Sequence, residues 1–118
     1  VTKQTSLDQL AKDIVTFRDE REWKQFHNAK DMALSLMLEA SEVTELFQWK
    51  SETDLKKFPE QERQKLAAEL SDVLYWVLLM ANDAGIDLEA AFQEKMEANR
   101  MKYPLEKAKG NNKKYSEL

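Results

Sequence analysis

The chain has 118 residues, of which 42% are hydrophobic and 34% charged, with two glycines, two prolines and no cysteine. That length suits one domain, and this balance of apolar and charged residues belongs to a globular rather than a disordered chain. So few glycines and prolines cannot punctuate the turns of a sandwich or barrel, which leaves an all-α fold.

Having no cysteine excludes disulfide frameworks, thiolate zinc sites and cysteine nucleophiles. The opening stretch, Val1 to Asp8, shows no leader-like apolar run. The longest apolar run, Val73 to Ala81, spans nine residues, against the roughly 18 that a membrane span needs. No membrane partner and a cytoplasmic setting are therefore expected. Net charge is −4; residues 1–99 sum to −8 and residues 100–118 to +4. An acidic body with a basic tail argues against a nucleic-acid polymer as partner.

Four helical patterns follow in order. The first opens on Ser6-Leu7-Asp8-Gln9, a capping-box pattern, repeats apolar residues at Leu7, Leu10, Ile14 and Phe17, and fades near Trp23. Its late Arg and Glu residues read as solvated surface. After a link from Lys24 to Ala29, the second helix runs from about Lys30 to Lys50, with an apolar stripe of Ala33, Leu36, Met37, Ala40, Val43 and Phe47.

The third helix begins near Phe58-Pro59 and ends at Ala84, with Gly85 as its C-terminal cap. It is apolar around much of its circumference (Leu70, Val73, Leu74, Val77, Leu78, Ala81), as befits a central helix that also packs on another subunit. Asp87 caps the fourth helix, about Leu88 to Tyr103, which Pro104 ends. Residues 105–118 read as a basic loop or disordered arm.

Acids interrupt the two most apolar helices. Glu39 and Glu42 on the second, and Glu69 and Asp72 on the third, each have i,i+3 spacing and so share one helix face. Bare anions in pairs do not sit in an apolar stretch without a proton or a cation. If the two helices form an antiparallel hairpin, a rise of about 1.5 Å per residue puts Glu42 and Glu39 roughly 12 and 16 Å above the loop. The same rise puts Glu69 and Asp72 at roughly 14 and 18 Å, so all four fall at one level.

Four oxygen ligands without His or Cys suit a hard cation, Mg²⁺ first and Mn²⁺ next. A di-iron bundle is disfavoured, because it needs Glu-x-x-His twice and the chain has one histidine, His27. Glu45, three residues on from Glu42, could be a fifth ligand, a water-activating base or rim.

Trp49 lies seven residues beyond Glu42 and Trp76 four beyond Asp72, so each helix offers an indole on the acid face, either as core packing or as a stacking surface. Lys95, Asn99 and Tyr103 recur at i,i+4,i+8 as one polar stripe, either solvated surface or a row of groups able to hold oxygen atoms of a ligand.

At these residues the chain resembles the all-α nucleoside triphosphate pyrophosphohydrolases of the MazG family, nearest its small dCTP pyrophosphatase branch. Glu39-Ala-Ser-Glu42 with Glu69-Leu-Ser-Asp72 looks like the ExxE…ExxD signature. Glu22-Trp-Lys-Gln-Phe-His27, Phe47-Gln-Trp-Lys-Ser51 and the stretch from Lys95 through Asn99 to Tyr103-Pro104 extend the likeness over nearly the whole chain.

The resemblance implies a helix-bundle domain over residues 1–104 and a tail, residues 105–118, that closes over the site. It implies Mg²⁺-dependent hydrolysis of a nucleoside triphosphate substrate, dCTP first and dATP next, to monophosphate and pyrophosphate for nucleotide-pool housecleaning. The assembly it implies is a homotetramer. Glu39, Glu42, Glu69 and Asp72 would hold the metal, with Glu42 or Glu45 as general base. Trp23, His27, Trp49 and Trp76 would meet the nucleoside, and Lys95, Asn99, Tyr103 and Lys114 the phosphates and sugar. Where some family signatures carry a lysine three residues before the third acid, this chain has Leu66, so another cation must serve. A non-enzymatic helical interaction module and a metal-dependent phosphodiesterase are the rival readings.

Overall fold

In a computed structural model, the described residues are 5–118. Val1 to Gln4, part of the stretch read above for a leader, lie outside them. Among the described residues there are six α-helices and no strand: α1 Leu7–Glu20, α2 Ala29–Glu45, α3 Glu52–Lys57, α4 Glu60–Asp83, α5 Leu88–Lys102 and α6 Leu105–Ala108. None is long and apolar enough to cross a membrane. The all-α expectation holds, with two short helices beyond the four expected, α3 in the loop after the second helix and α6 in the tail.

Local chemistry sets most boundaries. Ser6 and Gln9 exchange the reciprocal bonds of a capping box at the start of α1. Asn28 accepts from the Asp31 backbone N–H to open α2, and Asp87 accepts from that of Ala90 to open α5. Gly85, at φ +67°, takes the left-handed turn just after α4. Ser51 and Asp54 form a second capping box that starts α3, within what looked like a plain loop.

The second helix is shorter than its pattern suggests. α2 stops at Glu45, and the backbone then turns through Leu46 to Trp49, with Trp49 at φ +68°. Phe47 leaves the helix and stacks on Phe58, ring centroids 5.7 Å apart, which anchors this turn to the start of α4. The expected apolar stripe is also rotated. Met32 is buried and Leu36 and Val43 are half-buried, whereas Ala33, Met37 and Ala40 face outward.

The chain divides into two compact units, one ending at Gly85 and the other starting at Ile86. In the first, α4 is the central helix and packs against both α2 and α1. Lys50 meets Glu62 at one end of the α2–α4 pair, and His27, just ahead of α2, meets Trp76 farther along α4. The pair is therefore antiparallel. Leu78, Leu79 and Ala81 of α4 join Met32 in the core, while Leu70 and Leu74 lie exposed on α4.

In the second unit the tail is not the plain loop expected from sequence. Pro104, whose ring fixes φ as the first turn requires, leads into α6. A closing 3₁₀ turn spans Tyr115–Glu117. Tyr115 lies edge-on to Tyr103 with centroids 6.2 Å apart, and the Lys102 ammonium sits 5.0 Å from its ring. These aromatic and cation–π contacts tie Tyr115 to the end of α5.

Candidate functional site

The inward face of α2 carries Met32, Leu36, Glu39 and Val43 in helical register, and that of α4 carries Leu66, Glu69 and Val73. Each face thus turns one acid toward the other helix. Glu42 and Asp72, a turn away on their own helices, sit at the exposed edge of the same contact. One carboxylate oxygen from each of Glu39, Glu42, Glu69 and Asp72 falls within 4.8 Å of the others. Glu45, the last residue of α2, is exposed and is not one of the converging four.

Among the described residues, no lysine, arginine or histidine pairs with any of these four acids. Glu39 Oε2 and Glu69 Oε2 are buried and lack a hydrogen-bond partner. Glu39 is pushed above the usual carboxylate range, first by its removal from water and then by Glu42 and Asp72 beside it. Glu69 is raised foremost by Glu42, whose carboxyl lies against it, and then by burial and the remaining acids. Two carboxylates in contact form a hydrogen bond only by sharing a proton, so the cluster wants positive charge. Oxygen donors without nitrogen or sulfur, with two of the oxygens otherwise orphaned, fit a hard divalent cation.

The aromatic residues are arranged in two ways. Trp76 is half-buried, with the His27 ring 5.4 Å away at 68° and the Tyr75 ring 5.1 Å away at 80°. Trp23 packs edge-on to Phe17, centroids 5.7 Å apart, and Arg21 lies over the Phe17 ring at 3.8 Å. Trp49 does not continue the α2 acid face as the spacing suggested, because the helix ends four residues before it. Its indole is 92% exposed on a left-handed backbone.

Lys95 and Asn99 lie on α5 of the second unit, with Tyr103 as its C-cap. There Asn99 is half-buried and its carbonyl accepts from the Tyr103 backbone N–H, while Lys95 and Lys114 are exposed.

Sequence reasoning missed Arg18 and Asp83. Arg18, read as solvated surface, is 1% exposed and grips Asp83 of α4 with both ends of its guanidinium, at 2.7 and 3.0 Å. The same Nη1 lies 3.5 Å from His27 Nδ1. Asp83 is held below the usual carboxylate range, chiefly by the bonds from Arg18. A signal was available: Leu7, Ala11, Ile14 and Arg18 form one stripe, and none of the four is exposed. An arginine at the end of a buried stripe needs an acid to receive it.

Comparison with known proteins bears on this arrangement. The MazG-like family pattern matches residues 34–118, which include all four clustered acids. The chain belongs to the MazG-like family. It is 38% identical over 117 residues to dCTP pyrophosphatase 1 of Mus musculus, covering 98% of this chain and 69% of the mouse protein. Against dCTP pyrophosphatase 1 of Homo sapiens it is 38% identical over 119 residues, with the same coverage. Among solved structures it is similar to a pyrophosphatase from Archaeoglobus fulgidus, with a TM-score of 0.77 and 31% identity. That likeness covers 88% of this chain and 98% of the archaeal one.

Proposed function

We propose that this MazG-like protein is a nucleoside triphosphate pyrophosphohydrolase that acts on deoxynucleotides, dCTP first and dATP next, for nucleotide-pool housecleaning. The observation that carries the reading is the four-carboxylate cluster with two buried, unpartnered oxygens. A triphosphate brings about four negative charges, which such a cluster would repel on its own. Glu39, Glu42, Glu69 and Asp72 would hold Mg²⁺, or Mn²⁺ in its place. Bound there, the cation would offset the charge of acids and phosphates alike and lower the pKa of an attacking water.

The chain's own groups do the rest. Glu42 or Glu45 takes the proton from water as it attacks the α-phosphorus. The bond from that phosphorus to the bridging oxygen breaks, and pyrophosphate leaves. Glu45 stands outside the converging four, which suits a base or rim better than a fifth ligand. The indoles of Trp23, Trp49 and Trp76 offer stacking faces for the nucleobase, with His27 as a polar contact. Lys95, Asn99, Tyr103 and Lys114 would serve the phosphates and sugar. Residues 1–104 would form the catalytic domain, and residues 105–118 the arm that closes over the bound substrate.

The assembly we propose is a homo-oligomer, a tetramer by family likeness. Leu34, Met37 and Leu38 on α2 and Leu70 and Leu74 on α4 are all exposed, more apolar surface than two neighbouring helices leave to water without use. A cytoplasmic location completes the reading.

Product analysis tests it: the protein is incubated with each dNTP and Mg²⁺, with and without EDTA. Monophosphate plus pyrophosphate, lost with EDTA and fastest with dCTP, is the expected result. No turnover of any nucleotide by the folded protein would favour the interaction module instead.

A further inference from the structure

Arg18 lies on α1, away from the acids, yet it touches the one histidine in the chain. Its guanidinium is buried and fixed by the fork of Asp83, so Nη1 has a defined direction as it faces His27 Nδ1. An arginine has five donors and no acceptor. A neutral imidazole can join this 3.5 Å contact only with Nδ1 as acceptor, the tautomer that carries its hydrogen on Nε2.

The rest of the histidine is held as well. Its backbone N–H donates to the Lys24 carbonyl at 3.0 Å, and the next residue, Asn28, caps α2. Its ring meets Trp76 at a steep angle, one turn beyond Asp72. With Nδ1 occupied, Nε2 is the ring atom left to a ligand, and it is a donor.

We propose that Arg18, locked by Asp83, is a positioning residue that holds His27 as an Nε2 donor and so sets which bases the site accepts. This rests on the reading above that His27 meets the nucleobase. A donor matches a ring nitrogen that carries a lone pair, as N3 of cytosine and N1 of adenine do. The corresponding positions of thymine and guanine, N3 and N1, carry hydrogens and oppose it. A polar mismatch in a closed site discriminates strongly, because a buried donor is left unpaired. Arg18 thereby favours the C and A bases over T and G.

The test uses the whole chain and has two arms. Long-range ¹H–¹⁵N correlation of the sole histidine, without nucleotide, reads its tautomer directly. The expected spectrum shows Nε2–H alone, with Nδ1 shifted by an accepted hydrogen bond. In Arg18→Met/Asp83→Leu, which replaces the ion pair by apolar groups of similar bulk to preserve folding, that shift is lost. Arg18→Lys, which keeps the charge without the fork, provides the same comparison if the double variant does not fold.

The second arm measures binding of uncleavable α,β-imido dCTP and dTTP with Mg²⁺. The parent is expected to prefer the cytosine analogue by at least about tenfold, and the folded variants to lose most of that ratio while still binding both. A preference retained without Arg18, or a histidine spectrum that does not change, overturns the proposal. His27→Phe separates it from its premise: if this variant keeps the ratio, His27 does not meet the base and both readings fall. No binding of either analogue by the parent would overturn the proposed function itself, while the histidine spectrum still reports on the Arg18 contact.

Discussion

Glu42 is the acid most in contact with the others: it leads among the neighbours that raise Glu39 and is the first cause of the shift at Glu69. Its replacement therefore has effects of opposite sign on stability and activity. Glu42→Gln removes one negative charge from a repelling set and gives its neighbours an amide donor, so Tm without divalent cation should rise. Turnover of dCTP should fall by about a thousandfold, as when a base or ligand is removed from a metal-assisted site.

The pH dependence follows from Glu39 and Glu69. An acid with a raised folded-state pKa costs stability above that value, and the cost disappears as pH falls below its unfolded value. A cation that binds the ionised cluster offsets this cost, so the rise in Tm with Mg²⁺ should be largest near neutral pH. It should shrink as pH falls through the carboxylate range, and thermal scans with and without Mg²⁺ measure both effects. A Tm indifferent to Mg²⁺ at neutral pH would count against a metal site.

Trp49 illustrates a different conflict at one residue. A bulky side chain at φ +68° costs about 1–2 kcal/mol, and a bare indole recovers little of that by burial. Trp49→Asn, which tolerates the left-handed region, should leave stability unchanged or raise it by up to about 1 kcal/mol. The proposed stacking role requires the same variant to weaken nucleotide binding by about 1–3 kcal/mol. Chemical denaturation and nucleotide titration together decide the point. A variant less stable than the parent would mean that the indole is packing rather than waiting for a ligand.

Among the elements, the joint of α1 and α4 has the clearest physical signature. Arg18 and Asp83 connect the last turn of one helix to the last turn of the other. Removing one partner leaves the other charge uncompensated, so Asp83→Asn should cost about 3 kcal/mol. Because the folded-state pKa of Asp83 is depressed, the pair's contribution is fully present above the unfolded value near pH 4. It is lost as pH falls through the folded value. The parent and Asp83→Asn should therefore converge in stability at strongly acid pH, a trend that urea titrations across pH can measure.

Much at this scale could be read from the chain, because caps are local: Ser6, Asp87 and Gly85 act within a turn of themselves. The short α3 was equally open to view, since Ser51-x-x-Asp54 repeats the pattern that marked α1. The end of α2 was not. Its apolar spacing runs on to Phe47, and where the helix ends Phe47 instead makes a tertiary contact with Phe58 that no local pattern encodes. The face of α2 was misjudged for a related reason. Taking the apolar residues as the buried set rotates the helix away from Glu39, when the acid itself belongs to the inward face. The level of the four acids survived this error because helical rise does not depend on which way the helix turns.

For the whole molecule, the question is what covers the outward side of α2 and α4. Met37 and Leu38 are each 60% exposed and Leu70 is 50% exposed. The apolar residues expected to form the α2 core stripe thus divide between two surfaces, one turned to α4 and one turned outward. α4, whose circumference is too apolar for one partner, divides in the same way, with Leu70 and Leu74 exposed and Leu78 and Ala81 buried, and a second copy of the chain is the simplest partner for such a surface. Met37→Glu and Leu70→Glu place unpaired charges on it at positions that are not i,i+3 or i,i+4 neighbours of any of the four acids. Each should lower the mass seen by light scattering toward that of a single chain, while helical circular dichroism persists. In a symmetric interface every substitution occurs in each copy, so one added carboxylate is repeated across the contact and its effect is multiplied. A parent chain that is already monomeric at tens of micromolar would overturn the proposed assembly. A folded variant with unchanged mass would move the interface elsewhere on the molecule.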